Sequence, residues 1–117
     1  MTNTLAANVL TTFYVNPVLY LGLHSSDPTQ IGNAGTEIAG ASYARQRITF
    51  GAPSNRAVTN NIQIIYQNLP ASTVLFLAIW NALTGGIIQH SLGITSIAVN
   101  AGGTIVVPVS DVAITLA

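Results

Sequence analysis

His24, Ser25 and Asp27 fall within four residues of one another, and they are the residue types of a hydrolytic triad. A working triad has its base, nucleophile and orienting acid brought together by the fold, and neighbours on one loop rarely reach that geometry. The chain also has no G-x-S-x-G turn to raise a serine above a sheet. The same residues suit a turn, because Ser25, Ser26 and Asp27 precede Pro28 and can hydrogen-bond the nearby backbone. Paired-carboxylate chemistry on a glycosidic bond would draw on Asp27, Glu37 and Asp111, and the first two share one glycine-rich stretch. A metal site would use His24, His90, Asp27 or Glu37, which show neither an i, i+4 histidine pair nor a ligand cluster. Gly85-Gly86 lacks the following Lys-Ser/Thr and helix start of a phosphate loop. No catalytic residue, metal or cofactor is expected, and the chain reads as non-enzymatic.

Four other side chains are candidates for a protein interface: Tyr43, Arg45, Arg47 and Trp80. Tyr43, Arg45, Arg47 and Thr49 alternate with Ala44, Gln46, Ile48 and Phe50, which places the two arginines on one face of a strand. Adjacent guanidinium groups need solvent or an acceptor each. This face is therefore either a wet strand edge or a bidentate contact to a carboxylate on a neighbouring chain, since arginine is enriched at interface hot spots. Trp80 could stack on a sugar ring. Its neighbours Phe76, Leu77, Ala78 and Ile79 favour packing in the core or an interface instead.

The elements that must hold these residues follow from composition and pattern. The 117 residues bound one domain, 1–117. Only 5% of them are charged, with zero net charge, no lysine and no cysteine, against about 25% charged in soluble domains. High hydrophobicity excludes disorder. Three arginines balanced by three acids leave no basic field for nucleic acid. Without cysteine there is no disulfide or thiolate site. The longest apolar run, Val74–Trp80, ends at Asn81, far short of the roughly 18 residues of a spanning helix, and the N-terminus lacks the basic start of a secretory signal. No charge occurs from Ala57 to Ser110, and a near-neutral exterior promotes association. We expect other protein chains to cover it.

Leu5, Val9, Leu10 and Phe13 predict a short helix over 4–14 with Asn3 or Thr4 as its cap, within an N-terminal arm 1–16 that Asn16-Pro17 ends. Val18–Leu23 reads as a buried strand, and a long loop over 24–42 carries Pro28, Gly32, Gly35 and Gly40. Strands follow at 43–50, 62–67, 74–80, 87–94, 94–99, 104–107 and 112–116. Turns lie at Gly51–Asn55, at Asn81–Gly86 as a hairpin, and at Asn100–Gly103. Short strands parted by Gly, Pro and Asn clusters predict a mainly β fold: an antiparallel, jelly-roll-like β-sandwich with a short N-terminal α-helix.

In order and spacing, Leu19-Tyr-Leu-Gly-Leu-His-Ser-Ser-Asp-Pro28, Gly35-Thr-Glu-Ile-Ala-Gly40, Ser42-Tyr-Ala-Arg-Gln46, Ile48-Thr-Phe50-Gly-Ala-Pro53, Leu77-Ala-Ile-Trp80-Asn-Ala-Leu-Thr-Gly-Gly86 and Asn100-Ala-Gly-Gly-Thr104 together resemble a family of small virion proteins of tailed bacteriophages. The likeness runs from about Val18 to the C-terminus. It departs at Trp80, where a smaller aromatic is usual, and in its sparser charge. The resemblance implies a structural virion component assembled in the host cytoplasm. The expected role is a capsid cement or decoration protein on the shell exterior, a homo-oligomer (trimer favoured) bridging major capsid proteins. The alternatives are a tail-fibre or baseplate component, and then a glycan-binding module built on Trp80.

Overall fold

The computed structural model describes residues 2–28 and 37–116; Gly32 and Gly35 of the expected loop lie outside them. Thr2 opens the helix, its hydroxyl accepting the Leu5 amide at 3.1 Å. That makes Thr2, not Asn3 or Thr4, the N-cap of α1 (Asn3–Leu10). A π-helical turn, Thr11–Val15, continues the coil. Its β-branched residues crowd a regular helix, and Pro17 comes too soon for α1 to resume. Of the expected stripe only Leu10 is fully buried. Ala6 and Leu10 are fully covered, and Tyr14 meets Phe50 edge-on at 5.9 Å, while Leu5 and Phe13 are 51% and 54% exposed. Two stripes of period four run side by side on this helix. The one that docks is led by a small residue, because Ala6 lets the backbone come close.

Eight strands follow: β1 (Leu19–His24), β2 (Gln46–Ile48), β3 (Ala57–Thr59), β4 (Ile64–Leu69), β5 (Ser72–Trp80), β6 (Ile88–Val99), β7 (Gly103–Val107) and β8 (Ala113–Thr115). They form an antiparallel four-stranded sheet in the order β2-β1-β5-β6 and two ribbons, β3–β8 and β4–β7. The sheet turns Leu19, Leu21 and Leu23 of β1 and Leu77 and Ile79 of β5 toward one core. The ribbons meet them with Ile64, Tyr66, Leu69, Ile105, Val107, Val58 and Ile114, and Leu10 of α1 closes the end. The protein is mainly β and sandwich-like.

β3 was not legible as a strand. Ser54 and Ala57 exchange both backbone hydrogen bonds, at 2.9 and 3.0 Å, across Asn55 and Arg56, which take φ of +52° and +62°. This two-residue reversal with both φ positive normally announces itself as Asn-Gly, and arginine hides it. Behind it, the fully buried Asn60 donates to the carbonyls of Ile62 and Pro108, both at 2.9 Å, and accepts the Val112 amide at 2.8 Å. One side chain thus satisfies the backbone that turns from β7 into β8.

β6 is a single strand of 12 residues. Its pairing with β5 jumps from Val74↔Ile97 to Phe76↔Gly93, so residues 94–96 bulge opposite Leu75. At Asn100–Gly103 the chain then leaves the sheet for the ribbon, with Gly102 at φ +82°. Among the described residues the outer edge of β6 pairs with no strand.

The helix docking predicts an asymmetry. Leu10→Ala should cost about 2–5 kcal/mol in urea unfolding, whereas Phe13→Ala on the same coil should stay within about 0.5 kcal/mol.

Candidate functional site

Tyr20, Gly22 and His24 of β1 project from the sheet away from the core, beside Phe76, Ala78 and Trp80 of β5. Such a face would ordinarily be wet. Yet His24, Ala78 and Trp80 are each at most 1% exposed. The covers are the returning segment 37–45 and the β5–β6 hairpin loop 81–87, and one side chain holds both in place.

That side chain is Arg45. Its Nε and Nη2 donate to the two carboxylate oxygens of Glu37 at 2.9 and 3.0 Å, a bidentate pairing that arginine's planar fork permits. Its Nη1 donates to the carbonyls of Ala82 at 2.9 Å and Gly85 at 2.8 Å, which fixes the hairpin loop. The guanidinium carbon lies 4.0 Å from the centre of the Trp80 ring, within cation–π range. Trp80 Nε1 in turn donates to His24 Nε2 at 3.3 Å, the two rings nearly parallel. Gly22 lies beneath them. A Cβ there would come within 2.8 Å of Glu37 Oε2 and 3.2 Å of Trp80 Nε1, so the close approach demands glycine.

The tyrosines finish the free edge of β1. β2 pairs with β1 only as far as Leu21, which leaves the Leu21 carbonyl and both polar groups of Leu23 to be satisfied at that edge. Tyr66 donates its hydroxyl to the Leu21 carbonyl at 2.5 Å. Tyr43 accepts the Leu23 amide at 2.9 Å and donates to Glu37 Oε2. The Ile38 amide bonds the Leu23 carbonyl at 3.0 Å. Tyr43 and Tyr66 stack on each other at 6.1 Å.

The electrostatics match a permanently assembled cluster. Burial, reinforced by the hydrogen bond to Glu37, pushes the Tyr43 phenol far above its ordinary value. Burial likewise raises Tyr66. Burial lowers His24, with Glu37 opposing that shift and Arg45 adding to it; the nitrogen facing Trp80 accepts a hydrogen bond and so is unprotonated. Among the described residues, every buried side-chain nitrogen and oxygen has a hydrogen-bond partner.

Three of the four expected interface residues are engaged inside the chain itself. Arg45 precedes β2 and is 6% exposed, Trp80 is 1% exposed, and Tyr43 is half-buried. Arg45 and Arg47 lie on the same side of the sheet as Trp80, since Arg47 is paired with Tyr20 and Tyr20 with Trp80, but only Arg45 is covered by the cluster, and Arg47 stays exposed. The bidentate carboxylate exists, but it is Glu37 of the same chain. Trp80 offers no open ring to a sugar. His24 spends its Nε2 on Trp80 and Glu37 its carboxylate on Arg45 and Tyr43, so neither is poised as a base. Among the described residues no group of three or more His, Cys, Asp or Glu side chains is gathered to hold a metal. Glu37 is the member that sequence reasoning missed. Its signal was one acid, eight residues before an arginine, in a chain with almost no other charge.

Removing Glu37 strands a buried guanidinium, so Glu37→Ala should lose about 3–5 kcal/mol. Arg45→Lys keeps the charge but cannot span a carboxylate and two carbonyls, and should lose about 1–3 kcal/mol. Thermal or urea unfolding reads both. His24 sits below its ordinary 6.5 in the fold, so the unfolded chain binds its proton first. Stability should be full above pH 6.5 and fall as pH drops below it. His24→Gln, which still accepts from Trp80, should lessen that fall, and the part that remains belongs to His90, which burial also lowers.

Comparison with known proteins bears on what this scaffold is for. No curated protein matches the chain. One family model does, over residues 1–115, and it describes the podophage GP4 fiber I protein gp80. With nearly its whole length matched, the chain belongs to this family of phage virion structural proteins.

Proposed function

We propose that the chain is a non-enzymatic structural subunit of a phage tail or fibre, working by docking uncharged surfaces against sister molecules and other virion proteins. The observation that carries this reading is the family match joined to the character of the exterior. Leu5, Phe13, Val18, Leu83, Ile87 and Val109 are all about half exposed or more. No charge falls between Ala57 and Ser110. Apolar surface of this kind drives association at roughly 25 cal/mol per Å² before association costs are met, and covering it strands no unpaired ion.

The buried chemistry supports a structural role as well. The arginine, the acid, the tryptophan and the tyrosines are consumed in holding loops, and no substrate is needed to satisfy them. The family description favours the fibre over the shell decoration expected from sequence. No helix among the described residues is long and apolar enough to cross a membrane.

Copy number in purified particles decides between the two. A few dozen copies or fewer against the major capsid protein places the chain in the tail or fibre, and hundreds would return it to the shell. Bound copies should also stay in place from low to moderate salt, because apolar contacts are not screened. Strong release over that range would overturn the uncharged-docking account.

A further inference from the structure

The β5–β6 hairpin loop is a preorganised apolar knob. Arg45 pins its carbonyls from below. Asn81 Oδ1 accepts the Ile87 amide at 2.7 Å, and the Asn81 amide bonds the Ile87 carbonyl at 3.1 Å. Gly85 and Gly86 take φ of +62° and +79° to close the turn. On this fixed loop Leu83 and Ile87 stand out, 50% and 66% exposed. A rigid loop that displays aliphatic side chains spends little entropy when it binds.

The matching hole lies at the other end of the same strands. Where β6 bulges, a groove of about 480 Å³ opens between the sheet and β7, floored by Leu23, Val74, Leu77 and Ile105, with Asp111 at its side. Its rim, Ile97 and Val106, is exposed. From Trp80 back to Val74 is six residues of strand, about 20 Å, so a chain cannot seat its own knob in its own groove.

Charge gives the pairing its direction. Among the described residues, Arg47 and Asp111 are the charged side chains without a partner inside the chain. Arg47 lies on the row Arg47–Tyr20–Trp80–Ile88 across the sheet, at the knob end. Asp111 lies at the groove end. A cation at the knob end of the sheet and an anion beside the hole are complementary only between copies.

We infer that copies of this chain join head to tail, Leu83 and Ile87 of one entering the β6–β7 groove of the next, with Arg47 of the first facing Asp111 of the second. Such a contact joins unlike patches, and repeated it builds a ring or a filament. The inference rests on the subunit reading above and names its partner as a second copy.

Sedimentation of the purified full chain over a concentration series tests it. The wild type should self-associate. Leu83→Ser with Ile87→Ser, or Val106→Glu alone, should weaken association by at least about 30-fold with an unchanged melting temperature. Mixing these knob and groove variants should yield a one-to-one pair and nothing larger. Arg47→Asp and Asp111→Arg should each weaken association by about tenfold or more, and an equimolar mixture of the two should recover it. A wild type that is monomeric at every concentration, or oligomers indifferent to knob and groove substitutions, would overturn the inference. It would fall alone, because particle copy number is measured independently.

Discussion

The Arg45–Glu37 ion pair is the constraint on which the far side of the sheet depends. Taking a guanidinium and a carboxylate out of water costs several kcal/mol per ion, and only good geometry with further hydrogen bonds returns it. Here the carboxylate holds Arg45 and Tyr43, and the guanidinium holds Glu37, two backbone carbonyls and a tryptophan face. Apart from Trp80 at the end of β5, those partners belong to the loop segments 37–45 and 81–87. The pair therefore converts loops into fixed cover. Without it, Trp80 and His24 would be an exposed apolar patch and an exposed base on a sheet face that the core does not reach.

The same economy governs the sheet edges. β1 loses its neighbour at Leu21, and two tyrosine hydroxyls and the Ile38 amide stand in for the missing strand. β6 loses its neighbour along its whole outer edge and receives no such substitute among the described residues. What it has is a bulge, a common way of turning an edge strand away from indiscriminate pairing. The bulge also opens the groove, so the feature that discourages promiscuous edge pairing leaves a shaped site that discriminates by fit.

Most of the strands were legible because apolar alternation between Gly, Pro and Asn clusters reports burial on one face, as in β4 and β7, whereas β5 was legible as an apolar run and is buried on both faces over Leu77–Trp80. The helix was legible as an element but not in its orientation. Leu5 and Phe13 outweigh Ala6 in any hydrophobic pattern, although contact geometry prefers the alanine. Arg45 was given its face but not its setting. The alternation from Tyr43 to Phe50 holds, with Ile48 and Phe50 in the core and Arg45 and Arg47 on the opposite side, yet Arg45 is buried there because loops cover it. Period-two reasoning cannot see a cover that is held by a partner eight residues upstream.

These misreadings meet in one point about how the chain handles charge. In a sequence with six ionic side chains, two are buried against each other, and their effect is to shape an apolar loop and not to bind anything directly. Arg45 was sought at an interface because arginine is common there. Its position below the hairpin makes it a positioning residue for Leu83 and Ile87, which lie one residue after Ala82 and two residues after Gly85, whose carbonyls it grips. Substituting it should therefore disturb docking through loop order even where no guanidinium meets a partner. Sparse charge and dense apolar surface are then parts of one arrangement: the few ions are used internally to hold shape, and the shape presents the surface.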